Sequence, residues 1–420
     1  MSILITNVLH QGKPVNVYLE DNFISDIGPS VEAEQTIDGT NLALLPGLVN
    51  THTHAAMTFF RSYADDMELH EWLRDKIWPI EAKLTPDDIY WGTRLACLEM
   101  IRSGTTCFND MYFHLDMQAK ATQESGMRAV LSEGFIDLMK PETGEELLTK
   151  TMKLVEEVRN MNCDRIKPAL GPHALYTVSR QSLESIKQIS DEEDLLIHFH
   201  LSETKDEVEN CVKEYGKSPV RFLEEIGFLG PRLLAAHSVW LDEKEISILA
   251  GAGVKISHNP VSNMKLAVGK AIHYSEMRKA GLNVSLGTDG CASNNNLDMF
   301  ESMKFATLLQ KFSLNDPTVM PANEAFQLAT VNGAQALGFN AGVIEVGKLA
   351  DLILVNTRMP FFQPSHDLIS NLVYSANGSC VDTVICDGKV LMEAGIVKDQ
   401  DEIIEGARKA TERLIQDGEG

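Results

Sequence analysis

The chain has 420 residues, 44% of them hydrophobic, which is enough for one large α/β domain with additions or for two to three domains. Its 60 acidic residues outnumber 37 basic ones and give a net charge of -23, which argues against binding to nucleic acid or acidic membranes. Seven scattered cysteines without a Cys-x-x-Cys pair indicate reduced thiols. The sequence lacks a signal peptide and any run of about 20 apolar residues, so we expect a cytoplasmic protein.

Short β-rich runs separated by turns occupy both ends of the chain. In the first 48 residues they lie at 3–5, 15–19 and 23–27, and late in the chain they return at 351–355, 381–386 and 390–392. No helical pattern interrupts the first set. We therefore expect the two termini to form one small β-sandwich domain, with a closing helix at 401–416.

Between the termini, helical and strand patterns alternate, which predicts parallel strands and a (β/α)8 TIM barrel. The first expected strand is the run that ends near residue 54, and the others lie at 128–131, 166–170, 195–200, 233–236, 254–257 and 284–286. The expected helices lie at 86–103, 115–125, 144–161, 180–190, 205–215, 218–226, 242–252, 271–280, 299–310 and 321–336. The predicted domains are 1–48, 49–345 and 346–420. A doubly wound open sheet is the alternative, but no strand leads into a Gly-x-Gly-x-x-Gly turn.

The first barrel strand carries the pattern Pro-Gly-Leu-Val-Asn-Thr-His-Thr-His, which ends at His52 and His54. Side chains on a strand alternate between faces, so these two histidines point the same way. Two neutral imidazoles at one strand end can hold a divalent metal. Taken alone, a surface loop is the more usual setting for His-x-His.

Further polar residues follow other strands, and the active site of a barrel lies at the carboxyl ends of its strands. A hydrolytic zinc centre needs several nitrogen or oxygen ligands and an open position for water. We assign His198, which shares a face with His200 but lies deeper, a structural role. The strand-end residues are His52, His54, His173, His200, His237 and Asp289, and the candidate ligands among them are His52, His54, His200 and Asp289.

Two residues beside these ligands are candidates for proton chemistry. Glu203 follows His200 by three residues, and a carboxyl group in a closed pocket beside a metal can stay protonated and act as a general acid. The alternative is that Glu203 is only a charge at the start of the next helix. His237 is expected to orient and polarise the attacking water.

The order of these motifs resembles that of the amidohydrolase superfamily. It runs Pro-Gly-x-x-Asn-x-His-x-His, His-x-x-Glu, His and Thr-Asp-Gly, with Gly-Lys-Leu-Ala-Asp at 347–351 and Ser-His-Asn-Pro-Val-Ser-Asn-Met-Lys-Leu at 257–266. The similarity covers nearly the whole chain and is strongest to the 5'-methylthioadenosine/S-adenosylhomocysteine deaminases.

The resemblance implies one divalent metal ion per subunit, usually zinc with Fe2+ or Mn2+ as alternatives, on His52, His54, His200 and Asp289. It implies that Glu203 protonates a purine ring nitrogen, that His237 orients the water, and that Asp289 accepts a proton from it. Hydroxide then attacks C6 of adenine, and ammonia leaves to give a hypoxanthine nucleoside.

For the substrate, the resemblance implies that Glu81 grips the ribose hydroxyls and that Trp72 and His173 line the nucleoside pocket. Sequence alone favours a solvent-facing helix residue for Glu81 and a packing aromatic for Trp72. The expected partner is a small-molecule adenine nucleoside, without nucleic acid or membrane, and the expected assembly is a homo-oligomer.

One departure from the family concerns the 5' group of the nucleoside. Members that accept S-adenosylhomocysteine well carry arginines after the strand at 128–134, where they can pair with the substrate carboxylate. Here Glu133 occupies the nearer position, and residues 137–148 contain no arginine. We therefore expect adenosine, 5'-deoxyadenosine or methylthioadenosine to be preferred, and acceptance of S-adenosylhomocysteine stays open.

The candidate ligands alone do not specify the function. A guanine deaminase or triazine chlorohydrolase would keep the same metal site, and a metal-free scaffold would be expected to lack the ligands that stand here. The zinc site of cytidine deaminases uses His-x-Glu with Pro-Cys-x-x-Cys, and the chain has no such cysteine pair.

Overall fold

The structure is a computed structural model that describes residues 1–28 and 30–416. Pro29, in a predicted turn, and residues 417–420, in the predicted C-terminal segment, lie outside the described residues. No helix within the described ranges is long and apolar enough to cross a membrane.

The strands fall into two sheets. The N-terminal strands are β1 (Ser2–His10), β2 (Lys13–Glu20), β3 (Phe23–Ile27), β4 (Gln35–Asp38) and β5 (Leu42–Pro46). The central strands are β6 (Leu48–Thr53), β7 (Thr105–Tyr112), β8 (Arg128–Phe135), β9 (Ile166–Pro172), β10 (Ile197–Leu201), β11 (Leu233–His237), β12 (Lys255–His258) and β13 (Asn283–Leu286). The C-terminal strands are β14 (Leu352–Asn356), β15 (Val381–Cys386), β16 (Lys389–Glu393) and β17 (Ile396–Val397).

Helices connect and cover these strands. They are α1 (Leu69–Trp72), α2 (Trp78–Glu81), α3 (Pro86–Arg102), α4 (Leu115–Ser125), α5 (Pro141–Asn160), α6 (Arg180–Glu193), α7 (Lys205–Tyr215), α8 (Pro219–Glu225), α9 (Glu243–Ala252), α10 (Pro260–Lys265), α11 (Tyr274–Lys279), α12 (Met299–Leu314), α13 (Ala322–Leu328), α14 (Val331–Ala336), α15 (Leu368–Tyr374) and α16 (Gln400–Gln416). Short 3-10 turns lie at Ala55–Phe60, Pro360–Phe362 and Gly378–Cys380, and a π-helical turn at Leu73–Ile77.

The central strands form an eight-stranded parallel sheet in sequence order from β6 to β13. Its two outer strands meet through Thr51, whose hydroxyl lies 2.9 Å from the Ser285 hydroxyl and donates to the Leu286 carbonyl at 2.9 Å. The strands are buried almost throughout, as expected when helices cover a parallel sheet. The prediction of a (β/α)8 barrel is confirmed.

Both termini contribute to the second sheet, in the order β17-β16-β15-β14-β5-β1-β2-β3 with β4 beside β1. Strand β14 runs antiparallel to β5, with Leu352 opposite Pro46. This sheet has an apolar core of its own, formed by Ile3, Ile5, Val8, Val17, Leu19, Ile24, Ile37, Leu42, Leu44, Ala350, Leu352, Leu354 and Ile385. The predicted β domain of both termini is confirmed, while the boundaries 1–48, 49–345 and 346–420 stay a proposal.

The differences from the predicted barrel include a missed strand and a divided helix, besides the short helices α1, α2 and α10, which were not predicted. Strand β7 was missed because Asn109 and Asp110 interrupt its apolar pattern; in the structure Asn109 donates to the Thr51 carbonyl at 2.9 Å and Asp110 accepts from the Ala55 amide at 2.7 Å. The single helix expected at 321–336 is broken into α13 and α14. The break frees the Ala329 carbonyl, which accepts from the amide of Val49 on β6 at 2.8 Å.

A buried ion pair joins the barrel to the terminal sheet. Arg128 at the start of β8 makes two hydrogen bonds to Asp351, at 2.7 and 3.1 Å, and one to Asp387 at 2.9 Å. The side chains of Arg128 and Asp351 are each 3% exposed. Removing one partner of such a pair leaves an uncompensated buried charge.

We predict that Arg128→Met lowers the free energy of unfolding by about 3–5 kcal/mol, measured by denaturant titration. The control is Arg180→Met, which removes an exposed pair with Glu184 and is expected to cost at most about 1 kcal/mol. Equal losses in the two variants would contradict a role for Arg128 in joining the two sheets.

Candidate metal centre and adjoining pocket

Four candidate ligands converge at the carboxyl end of the barrel. The ligand atoms of His52, His54 and His200 lie within 4.8 Å of one another, as do those of His52, His237 and Asp289. The Nε2 atoms of His52 and His54 are each 3.4 Å from Asp289 Oδ1, and the Nε2 atoms of His54 and His200 are 3.3 Å apart. The structure therefore brings together the whole ligand set expected from the sequence.

The other ring nitrogens have partners that fix the histidine tautomers. Nδ1 of His54 donates to the Met111 carbonyl at 2.6 Å, and Nδ1 of His200 donates to the His173 carbonyl at 2.8 Å. A carbonyl can only accept, so the lone pair of each ring lies on Nε2, which faces the centre. Nδ1 of His52 lies 2.6 Å from Nε2 of His198, so the deeper histidine supports His52.

The buried Nε2 of His52 has no hydrogen-bond partner among the described residues, and its neighbours are two further Nε2 lone pairs and a carboxylate. Facing lone pairs and a negative charge repel one another unless a cation lies between them. This donor set of nitrogen and oxygen atoms fits a divalent metal such as zinc. The chain thus has a metal site at the carboxyl end of the barrel.

The surroundings of His52, His200 and Asp289 favour the protonation states that a metal requires. Burial lowers the pKa of His52 to about 4 and the pKa of His200 well below its usual value, so both rings are neutral near pH 7. Burial alone would raise the pKa of Asp289, but its interactions with the surrounding histidines, His52 foremost, hold it well below the usual range. The site therefore presents neutral imidazoles beside an ionised carboxylate.

Local backbone geometry places Asp289 after β13. Its φ of 65° lies in the left-handed region, and Ser262 and the Gly290 amide donate to its two carboxylate oxygens at 2.6 and 2.7 Å. A side chain at Gly287 would come within 2.8 Å of the His52 Cβ atom. Glycine is required here because the chain passes against the first barrel strand.

The two candidate proton-handling residues face each other beside the ligands. Nδ1 of His237 donates to the side-chain oxygen of Asn263 at 2.8 Å and lies 3.6 Å from a carboxylate oxygen of Glu203. Burial, and next the charge of Asp289, raise the pKa of Glu203, although His237 opposes this. Burial alone would lower the pKa of His237, but Glu203 and Asp289 raise it.

A pocket opens from these residues and contains the predicted substrate residues Trp72, Glu81 and His173. Glu81 is not the solvent-facing helix residue that sequence alone favoured, because it is half-buried and accepts from the Tyr112 hydroxyl at 2.6 Å. Burial raises the pKa of Glu81 to about 7. The other lining residues are His54, Met57, Leu73, Trp78, Met111, Tyr112, Phe113, Gly134, Ile136, Tyr176, His200, Glu203, His237, Leu266, Asp289 and Ser293.

The interpretation of Glu133 as a charge facing the substrate was wrong. Its carboxylate accepts from the Leu115 amide at 2.8 Å, at the start of α4, and lies 3.4 Å from the ammonium group of Lys150. Side chains alternate along β8, so Gly134 and not Glu133 faces the pocket. The described residues that line the pocket include no lysine or arginine.

Sequence reasoning did not single out Tyr112, Ser262 or Asn263 as individual residues. Tyr112 ends the missed strand β7, so its strand-end position gave no signal. Ser262 and Asn263 lie in the segment 257–266 that supported the resemblance, but their contacts with Asp289 and His237 depend on the turn at the start of α10.

Comparison with known proteins agrees with this geometry. The model of the amidohydrolase family matches residues 43–391. The chain therefore belongs to the amidohydrolase family.

Relatives that align over nearly the whole chain are deaminases of adenosine-type nucleosides. The chain is 53% identical to a 5'-deoxyadenosine deaminase of Methanoregula boonei, over 99% of this chain and 96% of the relative. It is 52% identical to a 5-methylthioadenosine/S-adenosylhomocysteine deaminase of Archaeoglobus fulgidus, over 95% of each chain. A crystal structure of a zinc-bound adenosine deaminase from Xanthomonas campestris superimposes with a TM-score of 0.93 at 35% identity, covering 99% of this chain and 98% of that one.

We predict that the purified protein carries about one equivalent of divalent metal and that His54→Ala loses most of it, measured by elemental analysis. The matched control is His258→Ala, since His258 is fully buried at the end of β12 and its ring nitrogens have no hydrogen-bond partner among the described residues. Equal metal content in the two variants would contradict the assigned site.

Proposed function

We propose that the protein is a metal-dependent hydrolytic deaminase that converts the adenine of adenosine-type nucleosides to hypoxanthine and releases ammonia. The observation that carries this proposal is the buried Glu203 carboxyl group, which faces the pocket beside His237 and the four-ligand centre. A buried acid next to a hydrolytic metal site is the arrangement needed to protonate a ring nitrogen while water attacks the adjacent carbon.

We propose that His52, His54, His200 and Asp289 hold one divalent ion and that this ion is zinc. Zinc suits neutral imidazoles with one carboxylate, and the similar adenosine deaminase structure contains zinc. When bound, such an ion lowers the pKa of water and so supplies a nucleophile near neutral pH.

The chain's own residues would move the protons. Glu203, whose pKa is raised by burial, keeps a proton to deliver to the purine ring nitrogen. Nδ1 of His237 is occupied by Asn263, which leaves Nε2, 3.9 Å from an oxygen of Asp289, to orient the attacking water. Asp289 is ionised and can accept the proton that this water loses.

The pocket suits a nucleoside with a small, uncharged 5' group. Glu81 offers a carboxylate to the ribose hydroxyls, with Trp72 and His173 beside the nucleoside. The absence of lysine and arginine from the described lining leaves the carboxylate of S-adenosylhomocysteine without a charged partner. The missing cationic partner among the described pocket residues, and not repulsion by Glu133, is therefore the basis of the expected preference.

The runner-up is deamination of a free base or dechlorination of a triazine. An atrazine chlorohydrolase of Arthrobacter aurescens shares the fold, with a TM-score of 0.87, but at 22% identity this likeness shows the fold alone. Glu81 at the pocket wall favours a ribosylated substrate over guanine.

The test is an ammonia-release assay on adenosine, 5'-deoxyadenosine, methylthioadenosine, S-adenosylhomocysteine and guanine. We expect activity on the first three, a lower kcat/KM on S-adenosylhomocysteine, and none on guanine. Glu203→Gln should keep its metal and lose a factor of about 10²–10⁴ in kcat. Release from guanine but not from adenosine would favour the runner-up, and full activity in Glu203→Gln would remove its role as the acid.

A second prediction concerns the pH dependence of substrate binding. Because the pKa of Glu81 is about 7, it ionises as the pH rises through neutrality, and only the ionised form accepts from both ribose hydroxyls. We expect KM for 5'-deoxyadenosine to fall between about pH 6 and pH 8. The Tyr112 hydrogen bond lowers this pKa, so Tyr112→Phe should move the change in KM to higher pH.

The control for this prediction is Glu81→Gln, which cannot ionise and should give a higher KM that no longer changes with pH. A change in KM that persists in Glu81→Gln would assign the titration to another group of the pocket.

A further inference from the structure

The turn that carries Glu203 has an unusual support. After β10, Ser202 adopts a left-handed conformation with φ of 49°, and Thr204 caps helix α7 by accepting from the Glu207 amide at 3.1 Å. Glu207 occupies the third position of the helix and is 7% exposed. Its carboxylate accepts from the amides of Ser202 and Glu203, each at 2.8 Å.

Helix α9 provides a comparison in the same barrel. Glu245 also occupies the third position of its helix, is 4% exposed, and accepts from the amide of the capping residue Asp242 at 2.8 Å. This is the usual capping box. Glu207 instead reaches beyond its capping residue Thr204 to the two preceding amides, so its carboxylate holds the turn and not only the helix end.

The same turn is joined to the segment after His237. The Ser202 carbonyl accepts from the amides of Val239 at 3.1 Å and Trp240 at 2.8 Å, and the Ser238 amide donates to the Leu201 carbonyl at 2.9 Å. His237 and Ser238 are themselves left-handed, with φ of 68° and 51°. Fixing the Ser202 turn therefore fixes Glu203 and the His237 segment relative to each other.

We propose that Glu207 is a positioning residue for Glu203: its carboxylate binds the amides of Ser202 and Glu203 and so directs the Glu203 carboxyl group into the pocket. The inference rests on the proposed function, in which Glu203 is the general acid. Glu207 itself is not among the residues that line the pocket, so it acts through Glu203.

The variant that tests this is Glu207→Gln, and the matched control is Glu245→Gln. The amide keeps the shape but places an N–H donor against one of the two backbone donors. We expect kcat for 5'-deoxyadenosine to fall on the order of 10- to 100-fold with KM and metal content little changed, because misplacing a catalytic group affects chemistry more than binding. Glu245→Gln should leave kcat within about 3-fold of the wild type.

A double-mutant cycle separates positioning from a general structural effect. If Glu207 acts through Glu203, then adding Glu207→Gln to Glu203→Gln should change kcat by less than about 3-fold, because the group being positioned is already disabled. Multiplicative losses in the double variant would overturn the proposal. A wild-type protein without deaminase activity would instead reject the proposed function.

Hydrogen exchange gives a readout that does not depend on activity. In Glu207→Gln, faster exchange should be confined to the peptide containing Ser202 and Glu203, with the melting temperature close to that of Glu245→Gln.

Glu207→Asp provides a second variant that keeps the charge but reaches at most one amide. If both Glu207 variants fail to fold while Glu245→Gln folds, the proposal is overturned and Glu207 is a residue of fold stability.

Discussion

The site depends on two backbone carbonyls that accept from histidine rings. Because the carbonyls of Met111 and His173 each accept a hydrogen bond from Nδ1 of a ligand, His54 and His200 present their Nε2 lone pairs to the same point as His52 and Asp289. These carbonyls belong to β7 and to the residue that follows β9, so the barrel itself sets the tautomers. Rings held in this way are oriented for a metal before it arrives.

At this end of the barrel, two carboxyl groups have opposite pKa shifts because their surroundings differ. The histidines around Asp289 hold its pKa well below the usual range, whereas burial raises the pKa of Glu203 and favours its protonated form. This difference between two carboxyl groups in one pocket suits the proposed deamination. Left-handed residues at the ends of β10, β11 and β13 aim these side chains inward.

Much of this arrangement could be predicted from the sequence, because strand ends have a clear signal and barrel strands end at one face. His52, His54, His200 and Asp289 each terminate an apolar run, which is enough to place them together.

Glu81 and Trp72 came only from the family resemblance, since their positions follow from how the segment before α3 folds over the pocket. Tyr112 was not identified because its strand, β7, was not predicted. The predicted orientation of the Glu133 side chain was wrong because the sequence does not give the register of β8 against α4. Nothing in the sequence distinguishes Glu207 from Glu245, since each is the third residue of its helix, and only their hydrogen-bond partners differ.

We propose that four side chains hold one metal ion through a fixed set of atoms. Anomalous X-ray scattering from crystals of the purified protein, recorded at the absorption edge of its metal, would locate that ion. We expect one peak in the barrel, at roughly 2.0–2.2 Å from Nε2 of His52, His54 and His200 and from a carboxylate oxygen of Asp289. A peak bound through Nδ1 atoms, or one located elsewhere in the molecule, would contradict this proposal.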